Sequence, residues 1–437
     1  MSDIDDLAEA RAKLRDKGGA WRAQLLLSAT KDPRPLLANA LLALHEAPEW
    51  GGVLGFDEFA LTAMALRPPP WVRTNGEWPQ RAWSDRDDTL TAEWLQRQGI
   101  GVTERVAAVA VQAVAQEHPY HPVRDYLASL GWDGANRLES FAATYLGAED
   151  TSYHAAVGRC LFLAAVARIM QPGCKADHIP ILEGEQGTFK SSLLDAIFSP
   201  WFSDDLAELG SKDAQMQMAG VWCVEIAELT GMRRADIERV KAFASRRVDR
   251  YRPSYGRHVI AAPRQCICIG TTNSERYLKD ETGARRFWPV RCGRIDVAAA
   301  TRDRDQLWAE ALSLYQAGEP WWLADSTEVI AARVEQEERY AEDTWTEIIG
   351  DYTGGKDEVS ISAILREAIG KPAEQWTQTD QNRVAGCLKA QGGWKRVRLS
   401  TGNPRPTFST TETGTFKRAI DMTDDELAAI VAKARLT

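Results

Sequence analysis

Residues 179–192 read I-P-I-L-E-G-E-Q-G-T-F-K-S-S, and no other segment restricts the fold as much. A short apolar run ends at Gly184. Lys190 follows six residues later, then the hydroxyl of Ser191, then the apolar stretch 193–198. The pattern is one residue away from the phosphate-binding loop G-x-x-x-x-G-K-[ST], which needs a buried strand before it and a helix after it. Glycines let the backbone curl so that its N–H groups face a β-phosphate. The lysine reaches the β/γ oxygens, the hydroxyl holds Mg²⁺, and the helix N-terminus adds a favourable dipole. Phe189 is the mismatch, standing where the second glycine is expected, and Gly187 two residues earlier can supply the flexibility instead. The nucleotide-binding set expected here is Gly184, Glu185, Gln186, Gly187, Thr188, Phe189, Lys190, Ser191 and Ser192. Alone, this loop competes with a chance turn before a helix, so the segments after it decide.

The chain has 437 residues, 44% hydrophobic and 26% charged, which suits two or three globular domains. Its net charge of −9 gives no overall pull toward nucleic acid, so local charge must decide that question. Seven cysteines include no C-x-x-C pair, and Cys266 and Cys268 alternate with isoleucine in a strand-like run. Buried, reduced thiols in a reducing compartment are expected. Six scattered histidines argue against a dedicated metal cluster. No apolar run of about 18 residues stands out as a spanning helix. The start, M-S-D-I-D-D, is acidic and lacks an apolar signal region. A cytoplasmic protein with no membrane partner is expected.

Residues 1–117 read as a helical N-terminal region whose role stays open. Within it, 90–98 and 103–116 look like two helices around a turn at 99–101, with Thr103 as N-cap. That is the size of a helix-turn-helix, and an ordinary helical hairpin fits equally well. A loop rich in Pro, Trp and Gly occupies 68–83. Segments 123–130 and 137–145 are amphipathic, and 153–170 is a long apolar helix. Strands and helices then alternate from 179 to about 290, the signature of an α/β core with a mainly parallel sheet. A helix at 305–317 closes a domain expected over 118–335, and charged sequence at 335–342 links it to a third, 344–437. There, helices at 361–369 and 380–391 precede strands at 394–400 and 407–411 around a turn at 402–404. This is the order of a winged helix. Gln381, Asn382, Arg383 and Lys389 would offer contacts from its second helix, and Lys395, Arg396, Arg398 and Arg405 from its wing. A small domain serving protein contacts alone is the other reading.

The strand V-W-C-V-E-I-A-E-L at 221–229 offers the carboxylates that a nucleoside triphosphatase needs for Mg²⁺ and for polarising water. Glu228, ending the apolar run, is the first choice and Glu225 the second. On one continuous strand they face opposite ways, so both can act only if the strand ends near Ile226. Asn273 ends the buried run 265–272 and is placed to bind a γ-phosphate or position water. Arg285 and Arg286, before an aromatic strand, fit a finger reaching a neighbouring subunit's γ-phosphate. Between Met232 and Arg264, ten basic residues stand against three acidic ones, with Tyr251 and Tyr255 interleaved. A basic hairpin of this kind suits a nucleic-acid strand, with Lys241, Arg250, Arg252, Tyr255 and Arg257 as the candidate contacts. A solvated charged face is the alternative.

In this order, G-E-Q-G-T-F-K-S-S, V-E-I-A-E-L, V-K-A-F-A-S-R-R-V-D-R-Y-R-P-S-Y-G-R, I-G-T-T-N and T-G-A-R-R-F-W-P-V resemble the virulence-associated protein E family of phage and mobile-element proteins. The upstream H-P-V-R-D-Y-L-A-S-L-G-W-D-G-A-N-R-L looks like that family's lead-in, so the likeness spans about 118–322. The family is related to superfamily 3 helicases. The resemblance implies an AAA+-like P-loop ATPase core using ATP and Mg²⁺, assembled as a homo-oligomeric ring, commonly a hexamer, around single-stranded or forked DNA in a bacterial host. It implies that Lys190 and Ser191 are Walker A, Glu228 with Glu225 is Walker B, Asn273 is sensor 1, and Arg285 or Arg286 is the finger. The departure is Phe189: related loops need G-x-x-G-x-x-K-[ST], which this chain satisfies. No acidic cluster for primer synthesis is visible in the first 120 residues, so any primase would be a separate chain.

Three functions fit the residues. The first is an ATP-driven DNA helicase or translocase. The second is an ATP-switched DNA-binding or loading protein without unwinding. The third is a small-molecule kinase, which would need neither the arginine pair nor the basic hairpin.

Overall fold

The computed structural model describes residues 11–12, 19–74, 76–205, 211–227, 234–252, 258–278, 284–339, 344–391, 394–397 and 415–418. The chain divides into two compact units, Met1–Arg339 and Tyr340–Thr437.

The first unit opens with α1 (Leu37–Glu46), β1 (Leu54–Asp57), β2 (Thr62–Ala65), β3 (Arg81–Ala82), α2 (Asp85–Arg97), α3 (Glu104–Gln116) and β4 (Pro119–Tyr120). The strands form a sheet of order β3-β2-β1-β4. This region, expected to be helical, is therefore mixed. L-G-F-D and T-A-M-A lack a run of β-branched residues, so local propensity is silent about them. Tertiary pairing makes them strands, from Leu54↔Ala65 to Asp57↔Thr62. Asp57 fixes the turn between them by accepting the N–H groups of Phe59 (2.8 Å) and Ala60 (2.9 Å). Ala40, Ala43 and Leu44 of α1 and Ala107, Ala110 and Val111 of α3 belong to one buried cluster. α2 starts earlier than the apolar pattern predicts because Asp87 accepts the Ser84 N–H (3.0 Å) and pairs with Arg81 (2.6 Å), a capping arrangement.

Next come α4 (Pro122–Ser129), α5 (Phe141–Leu146) and α6 (Ser152–Met170). By length and composition α6 could cross a membrane, a property that Arg159 and Arg168 conceal in the sequence. In the fold it is a core helix, with 78% of its apolar window buried. The elements β5 (Ile179–Glu183), α7 (Lys190–Phe198), β6 (Phe202–Ser203), α8 (Lys212–Gln217), β7 (Cys223–Ile226), α9 (Arg234–Ala244), β8 (Val248–Tyr251), β9 (Ile260–Pro263), β10 (Ile267–Thr272) and β11 (Phe287–Arg291) follow, and α10 (Val297–Gln316) and α11 (Ser326–Glu338) end the unit.

Five of these strands form one parallel sheet, ordered β11-β5-β10-β7-β6. β5 and β10 are buried along their whole length. That explains their continuous apolar runs, since a parallel sheet is covered on both faces. Trp222 and Trp308 stack 4.1 Å apart in the core beside the sheet, and each indole N–H is satisfied by a helix carbonyl, Ala165 and Ile197 respectively. Six cysteines are buried and Cys292 is partly so; all are free. Among the described residues no group of His, Cys, Asp and Glu could form a metal cluster.

The second unit contains α12 (Thr344–Thr353), β12 (Glu358–Ser360), α13 (Ile361–Ala363, continued by a π turn over Ile364–Ala368), α14 (Gln378–Ala390), β13 (Trp394–Val397) and β14 (Thr415–Arg418). Its antiparallel sheet is ordered β12-β14-β13. Ile349, Ile364, Leu365, Val384, Leu388 and Trp394 form its own core. The strand expected at 407–411 falls outside the described residues, and the strand that pairs with β13 is β14.

Candidate nucleotide and nucleic-acid site

β5 delivers Gly184 to the carboxyl end of the parallel sheet, where open α/β sheets bind ligands. There the Gly184 N–H donates to the Thr272 carbonyl at 3.1 Å, tying the loop to β10. Gly187 takes φ +84° with no atom near its missing Cβ. Phe189 caps α7 in the left-handed conformation, φ 65° and ψ 24°, with 64% of its surface exposed. The phenylalanine thus adopts the backbone that a glycine would adopt more cheaply. Lys190 Nζ donates to the carbonyls of Gly184 and Glu185, both at 2.8 Å, and to Thr188 Oγ1 at 3.0 Å. The ammonium therefore sits inside the curl of its own loop. Glu185 and Gln186 are exposed on that curl, and Ser192 lies on the first turn of α7.

Ser191 Oγ donates to Glu225 Oε1 at 2.8 Å. Thr271 Oγ1 donates to the same oxygen at 2.6 Å. Glu225 Oε2 is buried with no hydrogen-bond partner, on a residue only 3% exposed. An unsatisfied buried carboxylate oxygen beside a serine hydroxyl suits a hard divalent cation. Glu225, the second choice from sequence, thus meets the loop. β7 ends at Ile226, so the opposite-face objection to using both glutamates does not apply. Glu228 lies outside the described residues. Asn273 follows the end of β10 directly and is exposed at the same end of the sheet.

Arg285 and Arg286 form a 3₁₀ turn before β11. Phe287 pairs with Ile179 and Arg291 with Glu183, so this turn lies at the amino end of the strands and the glycine loop at the carboxyl end. Four strand steps, about 13 Å, separate the two ends. Arg286 pairs with Asp177 at 3.3 Å, while Arg285 is exposed. His178 stacks on Trp288 at 4.2 Å beside them. Burial holds its imidazole down at about 4 against the pull of Asp177, with Lys175, Arg285 and Arg286 also lowering it. It is neutral at physiological pH.

β8 and β9 make the expected hairpin, paired from Val248↔Pro263 to Tyr251↔Ile260. Arg250 and Arg252 are exposed on it. Asp249 and Tyr251 turn inward. Arg264 grips Asp249 with two bonds, 2.9 and 2.7 Å, locking the hairpin root. Beside that root lies a cavity of about 220 Å³ lined in part by Phe59, His121, Arg124, Tyr251 and Gln265, so the N-terminal region backs the hairpin. Tyr255 and Arg257 lie outside the described residues. Lys241 does not join this surface: it is 3% exposed and pairs with Glu238 at 2.9 Å. Its position on the inner face of α9 overrides the charge pattern that grouped it with the hairpin.

Sequence reading missed Thr271, because a threonine inside an apolar strand looks like β-propensity. It also missed Glu183, whose buried carboxylate finds Arg339, 156 positions away. A charged residue closing an apolar strand immediately before the loop was the available signal.

Residues 127–341 match the profile of the virulence-associated protein E-like domain. No curated protein matches the chain. Among solved structures it is similar to the C-terminal region of NrS-1 in three apo structures, two of them of the A form. Identity is 12%, 12% and 13%; coverage is 84%, 84% and 88% of this chain and 95%, 96% and 99% of the other; TM-scores are 0.41, 0.40 and 0.43. Residues 127–341 are thus a virulence-associated protein E-like domain within this chain.

Proposed function

We propose that the protein is an ATP-driven DNA helicase or translocase that acts in replication of a phage or mobile element, with an AAA+-like core. The observation that carries this reading is the bond from Ser191 to the buried Glu225 carboxylate, next to a lysine held in a glycine loop at the carboxyl end of a parallel sheet. Ser191 and Glu225 would hold Mg²⁺, and Lys190 would pass from the loop carbonyls to the phosphates of ATP. The ion supplies neutralisation of the phosphate oxygens where charge develops. Asn273 orients water or the γ-phosphate, and Glu228 is the candidate base.

Arg285 and Arg286 are too far along the sheet to serve their own loop, which supports a finger acting on a neighbouring copy in a ring, a hexamer by family resemblance. Arg250 and Arg252, with Tyr255 and Arg257 of the same hairpin, track the DNA backbone and stack on bases. The second unit, with its order helix, strand, helix, helix, strand, strand, is a winged helix that adds DNA affinity.

The test is ATP turnover with and without DNA, together with strand displacement on a forked substrate. DNA-stimulated hydrolysis that drives displacement, both lost in Lys190→Ala, is expected. Hydrolysis without displacement would leave an ATP-switched loading protein. Turnover by Lys190→Ala at the parent rate would overturn the nucleotide site itself.

A further inference from the structure

Glu183 is the last residue of β5, one position before the loop, and is only 5% exposed. A carboxylate there is tolerable only if well paired. Arg339 supplies Nε at 3.1 Å to Oε1 and at 3.2 Å to Oε2, and Nη2 at 3.1 Å to Oε2. The Tyr277 hydroxyl adds a bond of 2.7 Å to Oε1. Arg339 and Tyr277 are themselves 8% and 2% exposed. The carbonyl of Arg339 also accepts the N–H groups of Tyr277 and Leu278, at 3.1 and 3.0 Å.

One arginine therefore holds the end of β5 and the segment that follows β10 at once. Through its guanidinium it holds the residue that launches the phosphate loop. Through its carbonyl it holds the far end of the segment that begins at Thr272 and carries Asn273. The near end of that segment is fixed by Gly184 N–H to Thr272 O. The Glu183 carbonyl, on the other side, accepts the Cys292 N–H at 2.8 Å. A hydrophobic contact at the same place would fill space equally well but would not fix direction.

We infer that Arg339, acting through Glu183 and Tyr277, is a positioning residue that sets the phosphate loop and the Asn273 segment in register with each other. Its role deepens the reading of residues 184–191 as a nucleotide site and rests on it. Arg339 touches neither nucleotide nor reacting atoms in this assignment. It governs how often the loop and Asn273 are correctly placed together.

Removing one partner strands a buried charge, so single variants can fail for reasons of folding alone. The full-length double variant Glu183→Gln/Arg339→Met removes both charges of the buried pair and keeps the volume; the carboxylates of Glu335 and Glu338, which Arg339 Nη1 also holds, are more exposed and are left to solvent. Backbone hydrogen exchange, measured without nucleotide, compares peptides over 184–190 and 272–277 with peptides from α6 and β7. The expected result is exchange faster by roughly tenfold or more in the first two and unchanged in the others. Arg339→Lys, which keeps the charge but not the fork, should fall between parent and double variant. Unchanged exchange at 184–190 and 272–277 would overturn the assignment, and so would uniform acceleration across the sheet, which marks a merely structural pair. Because no nucleotide is present, this outcome is independent of whether the parent hydrolyses ATP. If the parent does, the double variant should lower kcat at least tenfold with KM changed less than about threefold, the pattern of a lost positioning interaction.

Discussion

At the scale of single residues, Phe189 and Glu225 give the sharpest expectations. A left-handed backbone costs a non-glycine residue about 1–2 kcal/mol. Glycine's extra unfolded freedom costs about 0.5–1 kcal/mol. An exposed ring contributes little packing, so strain relief wins. Phe189→Gly should raise stability by about 0.5–1 kcal/mol in thermal or urea unfolding, with ATP turnover kept or raised. A stable but inactive variant would give the ring a positive role. Glu225→Gln retains an oxygen for the Ser191 and Thr271 hydroxyls and puts an amide where Oε2 is unpartnered. It should fold and bind ATP, yet lose at least about a hundredfold in Mg²⁺-dependent turnover. A parent-like Mg²⁺ titration would move the cation away from Glu225. Lys190, Ser191 and Glu225 stood out in the sequence because each chemistry demands a residue type at a spacing, and Glu228 lies outside the described residues. That Glu225 meets the loop was not legible, since it depends on β7 ending at Ile226 and on Thr271 reaching across from β10.

At the scale of elements, the parallel sheet was legible and the N-terminal sheet was not. Buried parallel strands leave apolar runs between helices, whereas β1 and β2 owe their form to each other's register. The hairpin was legible as charge, and its root at Asp249 and Arg264 was visible only in the fold. Replacing Arg250 and Arg252 with alanine should reduce the slope of log K for DNA against log salt by about 2, if each meets one phosphate. An unchanged slope would move the DNA surface elsewhere. α14 carries its own test. Thr377 and Asp380 cap it reciprocally, and Lys371 bonds the same carboxylate at 2.6 Å. Lys371 and then Thr377 lower the Asp380 carboxyl to about 2. A depressed folded value means stability that is present above the ordinary carboxylate range and lost as pH falls from about 4 toward 2. Asp380→Asn should cost the second unit about 1 kcal/mol at neutral pH, discounted for partial exposure, and should remove that acid-range loss. Acid unfolding curves that superpose for parent and variant would show that the cap adds nothing.

At the scale of the whole molecule, the division after Arg339 was half legible. Charge at 335–342 suggested a linker, while the structure counts residues up to Arg339 into the first unit and hides the N-terminal boundary expected at 117 inside it. A chain ending at Glu342 should keep basal ATP turnover and lose affinity for forked DNA, measured by fluorescence anisotropy. Equal affinity would free the second unit of any DNA role. Arg285→Ala/Arg286→Ala should be inactive while still binding ATP, and mixing it with Lys190→Ala should restore part of the turnover. No recovery between subunits that demonstrably exchange would end the case for a finger acting across copies.

If the arginine turn serves a neighbouring copy, as proposed, the sheet that separates it from the glycine loop also dictates how completed sites are counted. Each copy would then offer a receiving end and a donating end that do not meet within itself. A single copy then has no complete site, and an open row of n copies has n − 1. Only closure of the row gives n. Turnover per copy should therefore climb with protein concentration and level off once rows close, and a trace of loop-dead copies should lower the plateau by more than their share only if neighbouring sites fire in turn.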